Sequence, residues 1–80
     1  MKKLTKYYNR LDAMKEELDE IIGELEEKQE AIEDNANEHD RDMTDREQER
    51  YDAIEEELDA IREAIDNIEY AMGNIEEYID

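Results

Sequence analysis

Ile54-Glu55-Glu56-Glu57-Leu58-Asp59-Ala60-Ile61-Arg62-Glu63-Ala64-Ile65-Asp66-Asn67-Ile68 is the stretch that decides the fold. Its large apolar residues fall at Ile54, Leu58, Ile61, Ile65 and Ile68, in steps of four, three, four and three. The row runs on through Met72, Ile75 and Ile79 and extends back to Tyr51. An average spacing of 3.5 residues is the seam of a coiled coil. Strands alternate with a period of two and cannot produce it.

The N-terminal half carries a matching pattern. Leu4, Leu11, Leu18, Leu25 and Ile32 recur every seven residues, with Tyr7, Met14 and Ile21 three residues after the first three of them. Lys28 and Asn35 continue that second row with polar side chains. Polar seam residues either fix register at a cost in stability or mark helices that splay near their connection, and we favour splaying. Between the halves lies Asp34-Asn35-Ala36-Asn37-Glu38-His39-Asp40-Arg41-Asp42-Met43, where the seam lapses and residues suited to caps and turns gather. Thr44 with Glu47 three residues later is a capping-box pattern. The expectation is one unit, residues 1–80, with helix 1 over about 3–37, a loop over about 38–44 and helix 2 over about 45–79.

Charge favours folding back. Lys2, Lys3, Lys6 and Arg10 crowd the start of helix 1, and Glu76, Glu77 and Asp80 crowd the end of helix 2. Each set opposes its own helix dipole, and an antiparallel hairpin makes the two sets neighbours. The predicted class is therefore all-α: an antiparallel two-helix coiled-coil hairpin. Its expected core is Leu11, Leu18, Ile21, Leu25, Ile54, Leu58, Ile61, Ile65, Ile68 and Met72. Tyr8 and Ile22 widen the apolar face of helix 1; Ala64, Ala71 and Tyr78 widen that of helix 2. Such width calls for a second surface, so we expect a homodimer forming a four-helix bundle, or a hairpin completed by a partner protein. Tyr7, Tyr8, Tyr70 and Tyr78 would form an aromatic patch at the open end, either a binding surface or a plug.

The acids are the other signal. The chain holds 28 Asp and Glu against 10 Lys and Arg, a net charge of −18. Five bases against Asp12 give residues 1–15 a net +4 and leave −22 for residues 16–80. High charge at modest hydrophobicity can mark disorder, but the periodic apolar row argues for folded helices. Such charge repels DNA, RNA and anionic membranes and attracts a basic protein. There is no cysteine and no apolar run of about 18 residues to span a membrane. Met1-Lys2-Lys3-Leu4 has no apolar stretch behind it to act as a secretion signal. A soluble cytoplasmic protein is expected.

Between residues 16 and 40 one base, Lys28, stands against twelve acids. Ordinary soluble coiled coils intersperse Lys and Arg among their acids. Carboxylates three, four and seven residues apart stand about 5–10 Å apart along a helix. Rows of them imitate the closely spaced charges of a nucleic-acid backbone. The residues expected to meet a basic groove are Glu16, Glu20, Glu24, Glu27 and Glu30 on helix 1, and Asp52, Glu56, Asp59, Glu63 and Asp66 on helix 2. The partner would be a nuclease or another nucleic-acid-binding protein. The competing reading is a structural oligomerisation or adaptor coiled coil whose acids only solubilise it.

No catalytic pattern, cofactor fingerprint or metal site is expected. His39 with Asp40 and Asp42 reads as a polar turn: it lacks the ligand set of structural zinc and the spacing of a calcium loop. Di-metal helical bundles need Glu-x-x-His motifs facing the core, and the single histidine lies outside the seam. The chain is read as a non-enzyme.

The strings Glu27-Lys28-Gln29-Glu30-Ala31 with Asp34-Asn35, and Ala53-Ile54-Glu55-Glu56-Glu57-Leu58-Asp59-Ala60-Ile61 through Ala64-Ile65-Asp66-Asn67-Ile68, carry a resemblance. Over about residues 18–76 the chain resembles small acidic helical-hairpin proteins of phages and mobile elements of Gram-positive bacteria. Those proteins often have a Pro-containing turn, and this chain has no proline. The resemblance implies a mobile-element context, and with it inhibitors of host defence nucleases that act as acidic nucleic-acid mimics. It assigns no individual residue a role.

Overall fold

The computed structural model describes residues 2–79. Met1, Asp80 and the side chain of Lys2 lie outside the described set, so the expected parts of Lys2 and Asp80 in the terminal charge pairing are not addressed. Two helices, α1 (Lys2–Glu38) and α2 (Asp45–Glu76), fold into a hairpin. The rod measures 58 × 16 × 13 Å, so the helices run side by side along nearly their whole length. No helix among the described residues is long and apolar enough to cross a membrane.

The seam of α2 is the one its sequence predicts: Leu58 and Met72 are buried, and Ile54, Ile61, Ile65 and Ile68 are half-buried. On α1 the Leu row is also as expected, with Leu11 and Leu18 half-buried and Leu25 and Ile32 buried. Its companion row is different. The helix turns in Tyr8, Lys15, Ile22, Gln29 and Ala36, whereas Tyr7, Met14, Ile21, Lys28 and Asn35 are exposed. Ile21 is therefore not core: it is 41% exposed, and Ile22 takes the inward place. Both rows keep a 3.5 spacing against the leucines, so periodicity alone does not choose between them. Near the loop the choice is forced. The Tyr7 row would bury Lys28 and Asn35, whereas the Tyr8 row places Ala36 there, 3% exposed, where a methyl side chain lets the backbones converge. Lys15 is half-buried, its aliphatic stem on the seam.

It follows that Lys28 and Asn35 neither lock the register nor mark a splay. The seam continues through Ile32 and Ala36, and α1 runs to Glu38. Its end is a Schellman closure. The Arg41 N–H donates to the Ala36 carbonyl at 3.2 Å and the Asp40 N–H to that of Asn37 at 3.0 Å. Asp40 is left-handed, with φ 51°.

At α2 the expected capping box is present: the Glu47 N–H donates to Thr44 Oγ1 at 3.1 Å, and the Thr44 N–H to Glu47 Oε1 at 2.9 Å. The helix stops at Glu76, short of the expected 79. Tyr78 N–H turns back to the Ile75 carbonyl at 2.9 Å, a tighter turn than the α-helix makes. Glu76 and Glu77 sit against the negative end of the dipole, and no base occupies the last turn to relieve them.

Candidate functional site: two unlike sides of the hairpin

Three contacts between the helices show how they pair. Glu26 Oε2 lies 3.6 Å from Arg62 Nη2. Gln29 Nε2 donates to Glu55 Oε2 at 2.8 Å, and Asn35 Nδ2 to Glu47 Oε2 at 3.0 Å. This antiparallel register, with 3.6 residues per turn, gives the rod two edges of opposite character.

Stepping by sevens from the Glu26–Arg62 contact, Asp12, Asp19 and Glu33 of α1 fall on the same edge as Glu55, Glu69 and Glu76 of α2. Arg62 is the one base among these eight residues. Like charges at flanking coiled-coil positions oppose assembly. Arg62 partly compensates, lying 3.6 Å from Asp59 and 3.9 Å from Glu55 as well as near Glu26. At the open end Lys15 shares a shallow groove with Glu69 and Glu76. Toward the loop the charge density is felt by Tyr51. A hydrogen bond to Glu33 and that carboxylate's charge, then desolvation and the charges of Glu55 and Asp52, push its phenol above the ordinary value.

The ten acids expected to form the interface are all exposed, but they do not form one surface. Asp52, Asp59 and Asp66 line up every seven residues beside the acidic edge, and Glu16 and Glu30 adjoin it from α1. Glu20, Glu27, Glu56 and Glu63 point away from the partner helix, and Glu24 lies toward the opposite edge. The sequence-based set also underweights Asp19, Glu26, Glu33, Glu55 and Glu69, where the carboxylates of both helices converge. The Tyr8 row was the signal that would have found them, because shifting the seam by one residue rotates the flanks.

The second edge is apolar over three heptads. Tyr7, Met14 and Ile21 stand across from Tyr78, Ala71 and Ala64; then Lys28 and Asn35 stand across from Glu57 and Arg50. Tyr7 is 56%, Met14 52% and Tyr78 63% exposed. Lys28, Asn35 and Arg50 indeed share one shallow groove. The expected four-tyrosine patch is not formed as such: Tyr8 is half-buried in the seam, and Tyr70, 75% exposed, points outward from α2.

The loop is a polar clamp. Glu47 gathers Arg41 Nη1 at 2.6 Å, the Thr44 N–H and Asn35 Nδ2. Arg41 foremost, then the Thr44 N–H and Asn35, holds its carboxyl far below the usual carboxylate range. His39 is exposed with Nδ1 2.7 Å from the Asn35 carbonyl, so that nitrogen carries the donated proton. No group of three or more His, Cys, Asp or Glu among the described residues is placed to hold a metal ion.

Comparison with protein-family models, with curated proteins and with solved structures returns no match for this chain.

Proposed function

We propose that the protein is a non-enzymatic cytoplasmic module that binds a basic protein surface through its carboxylates, occupying the Lys/Arg groove of a nuclease or other nucleic-acid-binding protein. The observation that carries this reading is the acidic edge. A hairpin selected only for stability would intersperse bases along the edge of Asp19 and Glu33, yet Glu55 and Glu69 share that edge with them. Asp52, Asp59 and Asp66 extend the same surface at about 10 Å intervals. The partner would exchange its nucleic-acid ligand for these carboxylates, and its bases would relieve their mutual repulsion. The resemblance to phage and mobile-element hairpins agrees with an anti-defence inhibitor.

The test is capture of basic proteins from a bacterial lysate on the immobilised hairpin, with DNA or RNA as competitor. Salt-sensitive capture that nucleic acid displaces supports the reading. Capture that persists at about 0.5 M salt, where the screening length is only a few ångströms, and that nucleic acid does not displace overturns it. The exposed Tyr7–Met14–Ile21 strip favours a second reading, a coiled-coil oligomerisation or adaptor module with solubilising acids. Reversal of acids on the charged edge would leave that function intact.

A further inference from the structure

We propose that the apolar edge is the contact between two copies of this chain, packed head to tail about a two-fold axis that is perpendicular to the rod and passes beside Met14 and Ala71. In that arrangement α1 lies antiparallel on the α1 of the second copy, and α2 on its α2. The occupant is identified by charge. Beside the Tyr7–Met14–Ile21 strip, on its outer flank, α1 carries Lys3, Arg10, Glu17 and Glu24, one every seven residues and all exposed. Two bases followed by two acids form a self-complementary row. A two-fold axis at Met14 sets Lys3 opposite Glu24 of the second copy and Arg10 opposite Glu17, each pair occurring twice. Facing rows of opposite charge select partner and orientation in coiled coils.

The apolar residues agree with the same axis. Tyr7 meets Ile21 of the second copy, Met14 meets its counterpart, and the ring of Tyr78 lies over the small Ala64. The flank of α2 beside this edge is Ala53, Ala60, Asn67 and Asn74, with no charge to bury. The other two-fold arrangement, with the axis along the rod, would lay Lys3, Arg10, Glu17 and Glu24 on those four neutral residues and leave every charge unmatched. The polar rungs Lys28/Glu57 and Asn35/Arg50 end the contact, so each loop projects beyond the overlap. Both acidic edges stay outside, facing in opposite directions. The proposal rests on different rows of side chains from the acidic edge, so either can fail without the other.

Sedimentation equilibrium tests it. A dimer is expected, and the Glu17→Lys/Glu24→Lys double variant should weaken it about tenfold or more, since attractive pairs become repulsive ones. Adding Lys3→Glu and Arg10→Glu to the same chain should restore it. Circular dichroism on each variant confirms that the hairpin is folded. Oxidised Met14→Cys should give a disulfide-linked dimer, while Asp66→Cys, on the acidic side, should not. A chain monomeric at about 0.5 mM, far above the range of specific association, overturns the proposal. So does a dimer whose affinity ignores the charge reversals, or one that Met14→Cys fails to cross-link.

Discussion

Gln29 reaches across the hairpin to Glu55: its Nε2 donates to Glu55 Oε2 at 2.8 Å and to the Tyr51 carbonyl at 3.3 Å, from a residue only 8% exposed. It is the polar member of an otherwise apolar stretch of the α1 seam, Ile22, Leu25, Ile32 and Ala36, and it fits only where its amide finds both acceptors. Gln29→Glu removes the donor and sets a second carboxylate against Glu55. The variant should be less stable at neutral pH by about 1–3 kcal/mol, the cost of an unsatisfied buried polar group. Urea unfolding should show that loss shrinking as the pH falls into the carboxylate range and the new group protonates.

Asp40 closes α1 in the left-handed region, at φ 51°, and its N–H donates to the Asn37 carbonyl. Asp tolerates this geometry better than most residues, but glycine adopts it without the side-chain clash. Asp40→Gly should raise stability by about 1 kcal/mol, the low end of the left-handed penalty for an L-residue, read as a higher denaturation midpoint at unchanged slope. A midpoint that falls would show that the Asp40 side chain contributes more than its backbone costs.

Glu47 holds the loop, cap and end of α1 together, and its carboxyl is held well below the usual range chiefly by Arg41. A group whose proton affinity is lowered by folding stabilises the fold above the ordinary carboxylate range, and that contribution is lost as the pH falls through that range toward the lowered value. Glu47→Gln should therefore lower the Tm at pH 7. The gap between the variant and the natural chain should close as the pH falls below about 4, the ordinary carboxylate value. General relief of repulsion among the acids acts on both proteins alike in that range, so the difference between their Tm values isolates Glu47. Thr44→Ala, which removes the other half of the box, should cost about 1 kcal/mol at any pH.

The hairpin, the seam of α2 and the Thr44–Glu47 cap were legible because each rests on local sequence: a strict 4–3 apolar spacing and a cap motif of fixed length. The inward face of α1 was not. Tyr7 and Ile21 are matched by Tyr8 and Ile22, and Met14 is more apolar than Lys15, so residue-by-residue hydrophobicity favours the first row. What decides is the far end of the same helix, where Lys28 and Asn35 would have to enter the seam together. A straight pair of helices shares one rotation along its length, so Gln29 and Ala36 near the loop set the orientation of Tyr7 some 40 Å away. That one-residue shift moves Ile21 from core to surface and creates the apolar edge. It also brings Glu26, Glu33 and Glu55 to the opposite edge, which no count of acids along the chain reveals.

Glu20 and Asp66 separate the two meanings of the acids. Glu20 has Glu16, Glu17 and Glu24 three or four residues away, and Asp66 has Glu63 and Glu69 three residues to either side. A lysine at either place would turn these repulsive neighbours into attractive ones, each such pair contributing about 0.2–0.5 kcal/mol. At position 66 the new like-charge pair with Arg62 offsets one of the two gained there. Glu20→Lys with Asp66→Lys should therefore raise the Tm at low salt, with the gain fading as salt screens it. If the carboxylates only keep the hairpin soluble, the more stable variant should capture basic proteins no differently from the natural chain. If they form a binding surface, the same variant should be more stable and yet bind a basic partner more weakly. A parallel measurement of melting and of capture at one ionic strength reads both effects on one molecule. Loss of binding together with gain of stability is the signature of charges placed for a partner at the expense of the fold.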